Sequence, residues 1–336
     1  MPLRPLPLRP PPGRRLRHML WWIAPTLLAM AAVIAVAVNG GPPGFTTGSR
    51  AEADQAGADS VPDFAAGLPW PDEGQTSLAV QGVQGIGNLG TRGAQTPVPI
   101  ASVTKVMTAY VILRDHPLHG DEEGPAISAD QQAADESVSG TESTAPVRAG
   151  RDYSQRQLLQ LLLLPSGNNI ARLLARWDAG SEEAFVVKMN QAASGLGMNR
   201  TAYTDASGIE STTVSTSQDQ LKLAREAMKN DVFRKIVATP SATIPGSPGT
   251  VLNTNTLLRM PGVVGLKTGS STPAGGNLVW AATARDDGRG PLVLGVVLHQ
   301  QAGTSAEQGL HAALDRSEKL ITAVRAGLTA DARRSA

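Results

Sequence analysis

The feature that most restricts how this chain can fold is a long uncharged stretch close to its start. Residues 19–38 carry no charged side chain, and a helix of that length rises about 30 Å, enough to cross the hydrocarbon core of a bilayer. Five arginines and no acidic residue precede the stretch, which is typical of a membrane span whose N-terminus stays in the cytoplasm. The sequence therefore predicts a basic cytoplasmic arm over residues 1–18 and a transmembrane signal anchor over residues 19–38.

A cleaved signal peptide is the alternative interpretation of the same stretch. Such peptides normally have an apolar segment of about 7–15 residues, followed by a cleavage site of small residues. Here the apolar stretch is longer, and its best candidate cleavage site, Ala35-Val36-Ala37, lies inside it. We therefore expect a single-pass protein of the cell membrane, with the residues after the anchor on the extracellular side.

Composition excludes several classes of protein. Of the 336 residues, 41% are apolar, which is enough to form a core and excludes general disorder. The absence of cysteine excludes disulfides, thiolate metal sites and a cysteine nucleophile. A net charge of +1 gives no bulk attraction to nucleic acid, so we expect no nucleic-acid partner.

The chain after the anchor divides into three segments. Residues 39–75 are rich in Gly, Pro, Ala and Ser without periodicity, and they are predicted to form a flexible linker. Residues 76–325 mix strand and helix patterns and are predicted to form one folded domain. Residues 326–336 are predicted to be a disordered tail.

The pattern within the domain indicates its fold class. Short strands come first, helices follow, and the last part reads as three apolar strands (263–269, 276–284 and 291–299) and a final helix (305–325). This order predicts an α+β fold in which helices cover an antiparallel sheet, with an all-helical lobe in the middle.

Three short motifs carry candidate chemistry, and the first runs from Ser102 to Lys105 (SVTK). Positions i and i+3 of a helix share a face, so the Lys105 amine can reach the Ser102 hydroxyl. A serine becomes a nucleophile when a neighbouring base takes its proton, and a neutral lysine is such a base, whereas arginine is not. The chain has 7 lysines against 23 arginines, so a lysine at this position is informative. An ordinary helix start with a surface lysine is the alternative.

The second motif is Ser166-Gly167-Asn168, directly after the point where Pro165 ends an apolar helical run. The Ser166 hydroxyl could relay a proton to a leaving group, and the Asn168 amide could bind both a substrate backbone and Lys105. A simple helix-capping loop is the alternative that this tripeptide alone would favour.

The third motif is Lys267-Thr268-Gly269, which follows an apolar run that fits a buried strand. At a strand edge, lysine and threonine can bind a carboxylate by charge-assisted hydrogen bonds, and glycine lets a substrate backbone lie close to the strand. An exposed lysine at a strand end is the alternative. In a chain of this composition, the three motifs together have a chance expectation of about 0.02.

In these motifs and their surroundings, the chain resembles the penicillin-binding serine D-Ala-D-Ala carboxypeptidases of low molecular mass. The resemblance covers about residues 76–300 and rests on PIASVTKVMTAYVIL, LLQLLLLPSGNNIARLLA and GVVGLKTGSSTPAGGNLVWAA. The segment GLGMNRTAYTDASGI, which lies between the second and third of these, also resembles the family. The same three motifs are shared by serine β-lactamases and penicillin-binding proteins. The resemblance therefore implies a DD-peptidase/β-lactamase-like fold for the domain.

The resemblance also implies a role for each motif residue. Ser102 would attack the carbonyl between the two terminal D-alanines of a peptidoglycan stem peptide, with Lys105 as general base and Ser166 relaying a proton. The backbone N–H groups of Ser102 and Ser270 would bind the oxyanion. Substrate binding would involve Asn168, Lys267, Thr268, Gly269 and Ser270. Penicillins and other β-lactams would acylate Ser102 as inhibitors, and no metal or cofactor would be needed.

Three positions depart from the pattern of the family. Asn169 follows the second motif where aspartate is common, and Thr254 precedes Asn255 where many members have arginine. That arginine could help to hold the substrate carboxylate, so Thr254 bears on affinity. Ser270 stands where some relatives have histidine, and because its predicted contact is through the backbone, we expect little effect.

Three other functions stay open. A D,D-endopeptidase cleaves beside the same D-Ala acyl donor. A β-lactamase-like hydrolase would use a glutamate after the second motif, and the nearest candidates, Glu182 and Glu183, lie at a predicted helix start without the expected asparagine four residues on. The third open function is that of a non-catalytic relative that binds the cell wall. It stays open because Thr254 stands where many members of the family have arginine.

Overall fold

The computed structural model describes residues 61–82, 87–286, 288 and 290–334 of the chain. The predicted cytoplasmic arm (1–18) and signal anchor (19–38) lie outside these residues. Within the part of the chain that is described, none of the helices combines the length and the apolar character that crossing a membrane requires.

The described strands pair in antiparallel fashion throughout. In chain order they are β1 (Gln75–Gln81), β2 (Asn88–Arg92), β3 (Val98–Pro99), β4 (Ala126–Ser128), β5 (Asp152–Ser154), β6 (Val214–Ser215), β7 (Ser241–Thr243), β8 (Thr250–Leu252), β9 (Val263–Ser271), β10 (Gly275–Thr283) and β11 (Leu292–Gln300).

The described helices fall mostly between β3 and β7, with one long helix after the last strand. They are α1 (Lys105–Asp115), α2 (Gln131–Glu136), α3 (Gln155–Leu163), α4 (Asn168–Ala179), α5 (Glu182–Gly195), α6 (Ser217–Ala227), α7 (Asp231–Val237) and α8 (Ala306–Arg334). Short 3₁₀ helices span Asp63–Gly67, Ala101–Thr104 and Thr256–Arg259.

A five-stranded sheet in the order β2-β1-β11-β10-β9 forms the centre of the fold. Alternate residues of its strands belong to two hydrophobic cores, one shared with α8 and one shared with the helical lobe. Leu78 and Trp280 lie in the first core, and Ala79 and Val279 lie in the second. Because both faces are buried, the strands read as continuous apolar runs, which is why the last three could be predicted.

The predicted α+β fold, with helices covering an antiparallel sheet and a helical lobe in the middle, is confirmed. The sheet places β9, which carries the third motif, at its edge. The helical lobe supplies the other two motifs, at the start of α1 and between α3 and α4. The fold therefore brings three distant parts of the chain to one side of the sheet.

Both ends of the predicted domain are corrected by the structure. The linker prediction over 39–75 is wrong for its last part, because residues 63–67 form a 3₁₀ helix and Ala65 is buried in the core shared with α8. The tail prediction over 326–336 is also wrong for most of its length, because α8 continues to Arg334. The Phe64 ring lies against Gly327, so the two segments pack on each other. Their Gly- and Ala-rich composition concealed this packing.

Candidate active site

Ser102 lies in the 3₁₀ turn Ala101–Thr104, just before α1 begins at Lys105. The motif was expected on a helix, and the tighter 3₁₀ turn still places residues i and i+3 on one face. Ala101 has a positive φ of 47°, a conformation that non-glycine residues rarely adopt and that is held here by a hydrogen bond from Thr104 Oγ1 to the Ala101 carbonyl (2.8 Å). The turn leaves Ser102 partly exposed while Lys105 is fully buried.

The Lys105 amine has three polar neighbours. Its Nζ lies 2.8 Å from Ser102 Oγ, 2.5 Å from Asn168 Oδ1 and 2.8 Å from the Ser207 carbonyl oxygen. A neutral amine has two N–H bonds and one lone pair. Since the amide oxygen and the carbonyl can only accept, the two N–H bonds are directed to them, and the lone pair is left for the Ser102 hydroxyl proton.

The surroundings of Lys105 favour this neutral form. Burial, followed in importance by the positive charge of the nearby Lys267, lowers the pKa of the Lys105 amine well below its ordinary value. The carboxylates of Asp205 and Glu142 act in the opposite direction but do not outweigh burial. The surroundings therefore favour a Lys105 amine whose lone pair faces the Ser102 hydroxyl.

The second motif occupies the break between α3 and α4. Ser166 has a positive φ of 68°, and its buried Oγ has no hydrogen-bond partner among the described residues. Gly167 is the N-cap of α4, and Asn168 is the first residue of that helix. A strained serine with an unsatisfied hydroxyl, two residues from the asparagine that contacts Lys105, is available to a bound substrate.

Asn169 ties the second motif to the 137–151 loop, which connects α2 to β5. Its side-chain oxygen accepts from the Ala145 amide (2.9 Å), and its Nδ2 donates to the carbonyls of Ala145 (2.8 Å) and Ala133 (3.0 Å). An aspartate could not donate to these two carbonyls. These hydrogen bonds therefore suit asparagine at position 169 and would not suit the aspartate that is common there in the family.

The third motif lies on the edge strand β9. Lys267 is buried, and its Nζ donates to the Thr268 carbonyl (3.0 Å). Burial lowers the pKa of Lys267 to about 7. The Thr268 hydroxyl lies 2.6 Å from that of Thr254. This part of the site therefore offers a lysine that can be cationic, together with a hydroxyl pair.

Gly269 brings the edge strand against the serine turn. A Cβ atom at this position would lie 2.8 Å from the Ile100 carbonyl oxygen and 2.9 Å from the Ser102 amide nitrogen. Only glycine allows so close an approach. The next residue, Ser270, is partly exposed and pairs with Gly276 of β10. Because β9 is an edge strand of the described sheet, alternate N–H groups along it have no partner among the described strands.

A family model for D-alanyl-D-alanine carboxypeptidases matches residues 88–301, the region that contains all three motifs. The chain belongs to the D-alanyl-D-alanine carboxypeptidase family.

Individual relatives support this membership. The D-alanyl-D-alanine carboxypeptidase of Streptomyces sp. strain K15 is 37% identical over 224 residues, and the match covers 62% of this chain and 75% of that protein. The D-alanyl-D-alanine carboxypeptidase DacB2 of Mycobacterium tuberculosis is 36% identical over 231 residues, 67% of this chain and 76% of that protein. A D-alanyl-D-alanine endopeptidase of Pseudomonas aeruginosa is 35% identical over 226 residues, 65% of this chain and 70% of that protein.

Solved structures share the fold as well. The crystal structure of the Streptomyces K15 DD-transpeptidase matches with a TM-score of 0.64 and 32% sequence identity. The match covers 74% of this chain and 95% of that one. The DD-peptidase fold expected from the sequence is therefore confirmed.

Compared with the pattern expected for the carboxypeptidase family, this member lacks a cation at position 254. Thr254 contributes its hydroxyl to the hydroxyl pair with Thr268, and its amide donates to the Leu164 carbonyl (3.1 Å). The residue thus joins β9 to the end of α3, but it brings no positive charge. On β9, Lys267 is therefore the motif residue that can carry a positive charge.

Asp205, which lies outside the three motifs, shapes the loop that holds Lys105. Its Oδ2 accepts hydrogen bonds from the backbone amides of Ser207 (3.2 Å), Gly208 (2.7 Å) and Ile209 (2.9 Å), and its Oδ1 accepts from the Thr213 hydroxyl (2.6 Å). These bonds fix the Ser207 carbonyl that faces Lys105. The segment TDASGI was part of the family resemblance, but no role was assigned to it.

A β-lactamase would use a glutamate for deacylation, and the two candidates here, Glu182 and Glu183, either bind another part of the protein or are exposed. Glu182 Oε1 accepts from the Ala206 amide (3.0 Å), and burial raises the pKa of this carboxyl. Glu183 is exposed at the start of α5. Glu182 therefore supports the same loop as Asp205.

Proposed function

We propose that this chain is a serine D-Ala-D-Ala carboxypeptidase that removes the terminal D-alanine of peptidoglycan stem peptides. The observation that carries the proposal is the 2.8 Å separation of Ser102 Oγ and Lys105 Nζ, with Nζ oriented by Asn168 and Ser207. Such a pair is a nucleophile and its base. The family membership gives this pair its substrate class.

Acylation follows from the arrangement of the first two motifs. Neutral Lys105 takes the proton of the Ser102 hydroxyl as Oγ bonds to the carbonyl carbon between the two D-alanines. The C–N bond then breaks, and the leaving D-alanine amine receives a proton from Lys105 through the Ser166 hydroxyl. The product is an ester between Ser102 and the shortened stem peptide, with Lys105 neutral again.

Stabilisation of the oxyanion is assigned to backbone groups. The Ser102 amide lies at the point where Gly269 contacts the serine turn, and Ser270 is the next residue of the edge strand. The N–H groups of Ser102 and Ser270 would together bind the negative oxygen that forms in acylation and deacylation. A water molecule that attacks the ester then releases the shortened peptide and restores Ser102.

Recognition of the substrate terminus is assigned to β9. Lys267 in its cationic form and the Thr268 hydroxyl would bind the terminal carboxylate. Asn168 would accept and donate hydrogen bonds with the substrate backbone, and Gly269 leaves room for that backbone along the strand. Strained β-lactams of similar shape would enter the same site and acylate Ser102.

The burial of Lys267 predicts a pH dependence of substrate binding. Its pKa of about 7 in the free enzyme means that the cation is lost as the pH rises through this value. We therefore expect kcat/KM for a carboxylate-terminated peptide to fall above pH 7, by up to about tenfold per pH unit. The measurement is D-alanine release across the pH range.

Lys267→Arg provides the control for this dependence. A guanidinium stays charged at all these pH values, so the decline above neutrality should disappear even if the overall rate is lower. A decline of the same size in both proteins would show that another group titrates.

An endopeptidase activity is a second candidate, because a relative of similar identity carries that name. In this reaction the leaving amine belongs to a cross-linked peptide instead of free D-alanine. The acyl-enzyme chemistry at Ser102 would be the same.

The membrane anchor and the extracellular location are also proposals, and the sequence supports them. The arginines before residue 19 and the uncharged stretch over 19–38 favour a single span with the catalytic domain outside the cell. Since the chain has no cysteine, one introduced at the exposed Val138 can report topology. It should react with a membrane-impermeant maleimide in intact cells, and protection until lysis would refute the location.

The test of the function is release of D-alanine by the full-length chain from a pentapeptide that ends in D-Ala-D-Ala. A matched peptide that ends in D-Ala-L-Ala should be a poor substrate, and prior treatment with a penicillin should abolish release. Cleavage of a cross-linked dimer instead of the pentapeptide would identify the endopeptidase. Failure to cleave either substrate, or to bind penicillin, would favour the non-catalytic wall-binding relative.

A further inference from the structure

The Asn168 side chain lies between a base and a carboxylate. Its Oδ1 is 2.5 Å from Lys105 Nζ, and its Nδ2 donates to Glu142 Oε2 (2.6 Å). The two ends of an amide are similar in size but opposite in hydrogen bonding. A carboxylate can only accept, so Glu142 requires the NH₂ end of Asn168 to face it. The oxygen end is then directed at Lys105.

Glu142 is itself held firmly in the 137–151 loop. Its side chain is 14% exposed, and Arg172 of α4 donates to Oε1 from Nη2 (2.6 Å) and to Oε2 from Nη1 (3.3 Å). The loop is joined to α4 nearby, because the Ser143 carbonyl accepts from the Asn168 amide (2.8 Å). Glu142 is therefore a fixed part of the site's wall.

We propose that Glu142 is a positioning residue for acylation, which acts by fixing the orientation of the Asn168 amide. This inference rests on the proposed role of Lys105 as the base. In the observed orientation, Asn168 accepts an N–H bond of Lys105 and leaves the amine lone pair for Ser102. In the reversed orientation, the Asn168 NH₂ group would donate to that lone pair and compete with the Ser102 hydroxyl for it.

The charges around Lys105 allow the positioning role to be separated from a purely electrostatic one. The charged groups that act on its amine are Lys267 on β9, Arg172 on α4, Asp205 in the loop before β6, and Glu142. Glu142 raises the pKa of Lys105, so loss of its charge alone would increase the neutral fraction and speed acylation. The positioning role predicts the opposite, slower acylation.

Glu136 offers a matched control. It accepts from the same arginine (Arg172 Nε to Glu136 Oε2, 2.8 Å), and its side chain is 20% exposed, but it has no hydrogen bond to Asn168. Glu136→Ala therefore removes one ion pair of Arg172 and leaves the amide contact in place. Comparison of the two variants separates the orientation of Asn168 from the ion pairing of Arg172.

The experiment is the second-order rate of labelling of the full-length protein by a fluorescent penicillin, measured over a range of pH. We expect Glu142→Ala to lower the rate about tenfold at its plateau, with the rising limb of the pH profile moved to lower pH. Glu136→Ala should stay within about twofold of wild type. Glu142→Gln, which keeps an acceptor for Asn168, should recover part of the loss.

Each other result contradicts the inference. A wild-type rate in Glu142→Ala would show that Asn168 needs no such partner. Faster rates in both Glu142→Ala and Glu142→Gln would indicate an effect of charge, and equally reduced rates in the two would show that an acceptor at position 142 does not orient Asn168. Equal loss in Glu136→Ala would indicate an effect through Arg172. If Glu142→Ala does not fold, the labelling rate of Glu142→Gln is the test: a reduced rate supports the positioning role, and a wild-type rate contradicts it. Ser102→Ala tests the site separately, since undiminished labelling of that variant would refute the proposed nucleophile instead.

Discussion

Replacing Lys105 with arginine should lower the rate of Ser102 acylation by about 10³-fold. The guanidinium would carry a similar positive charge and could donate to Asn168 and Ser207, but it cannot give up a proton to become a base. Wild-type Lys105 can do so because burial and Lys267 lower the pKa of its amine. The measurement is the second-order rate of labelling by a fluorescent penicillin.

The control for this substitution is Lys229→Arg. Lys229 is exposed and pairs with Glu226 one helical turn away, so the same chemical change there should leave labelling unaltered. Thermal unfolding of both variants establishes whether the arginine fits at position 105. A folded Lys105→Arg protein that is labelled at the wild-type rate would exclude Lys105 as the base.

Replacing Gly269 with alanine should lower acylation about 100-fold. The new methyl group would lie 2.8 Å from the Ile100 carbonyl oxygen and 2.9 Å from the Ser102 amide nitrogen, which is closer than real Cβ contacts. Because the neighbours are backbone atoms, β9 or the serine turn must move. That movement would displace Ser102 from Lys105 and from the oxyanion-binding amides.

Gly195→Ala is the matched control for this effect. A Cβ atom at Gly195 would meet nothing within 4 Å, so the substitution should change neither the labelling rate nor the fold. If Gly269→Ala is labelled as fast as Gly195→Ala, the contact between β9 and the serine turn does not position the nucleophile.

The site residues that could be predicted from the sequence are those that belong to short local motifs. Ser102 and Lys105 lie one turn apart, and the break after Pro165 places Ser166 between α3 and α4, with Asn168 at the first position of α4. The apolar strands were also recognisable, because burial on both faces leaves uninterrupted hydrophobic runs. The spacing of residues within a motif and the apolar runs of buried strands can both be recognised in a single sequence.

The partners that orient the motifs could not be predicted in the same way. Ser207 contributes a backbone carbonyl, which any residue possesses, and it lies 102 positions after Lys105. Glu142 comes from a loop with no regular pattern, 26 positions before Asn168. Their roles follow from tertiary packing, and the only signal in the sequence was the family-like segment around Asp205. The packing of Phe64 on α8 was concealed instead by the Gly- and Ala-rich composition of the two segments.

The two buried lysines also have a consequence for folding. In the unfolded chain both amines would have ordinary pKa values near 10.4, whereas in the folded protein both pKa values are lowered, that of Lys267 to about 7. As the pH falls from about 10 towards 7, the unfolded chain binds protons that the folded protein does not, so the free energy of unfolding decreases. The two buried lysines of the site thus lower the free energy of unfolding at neutral pH. A ligand carboxylate that pairs with the cationic form of Lys267 would restore part of that free energy.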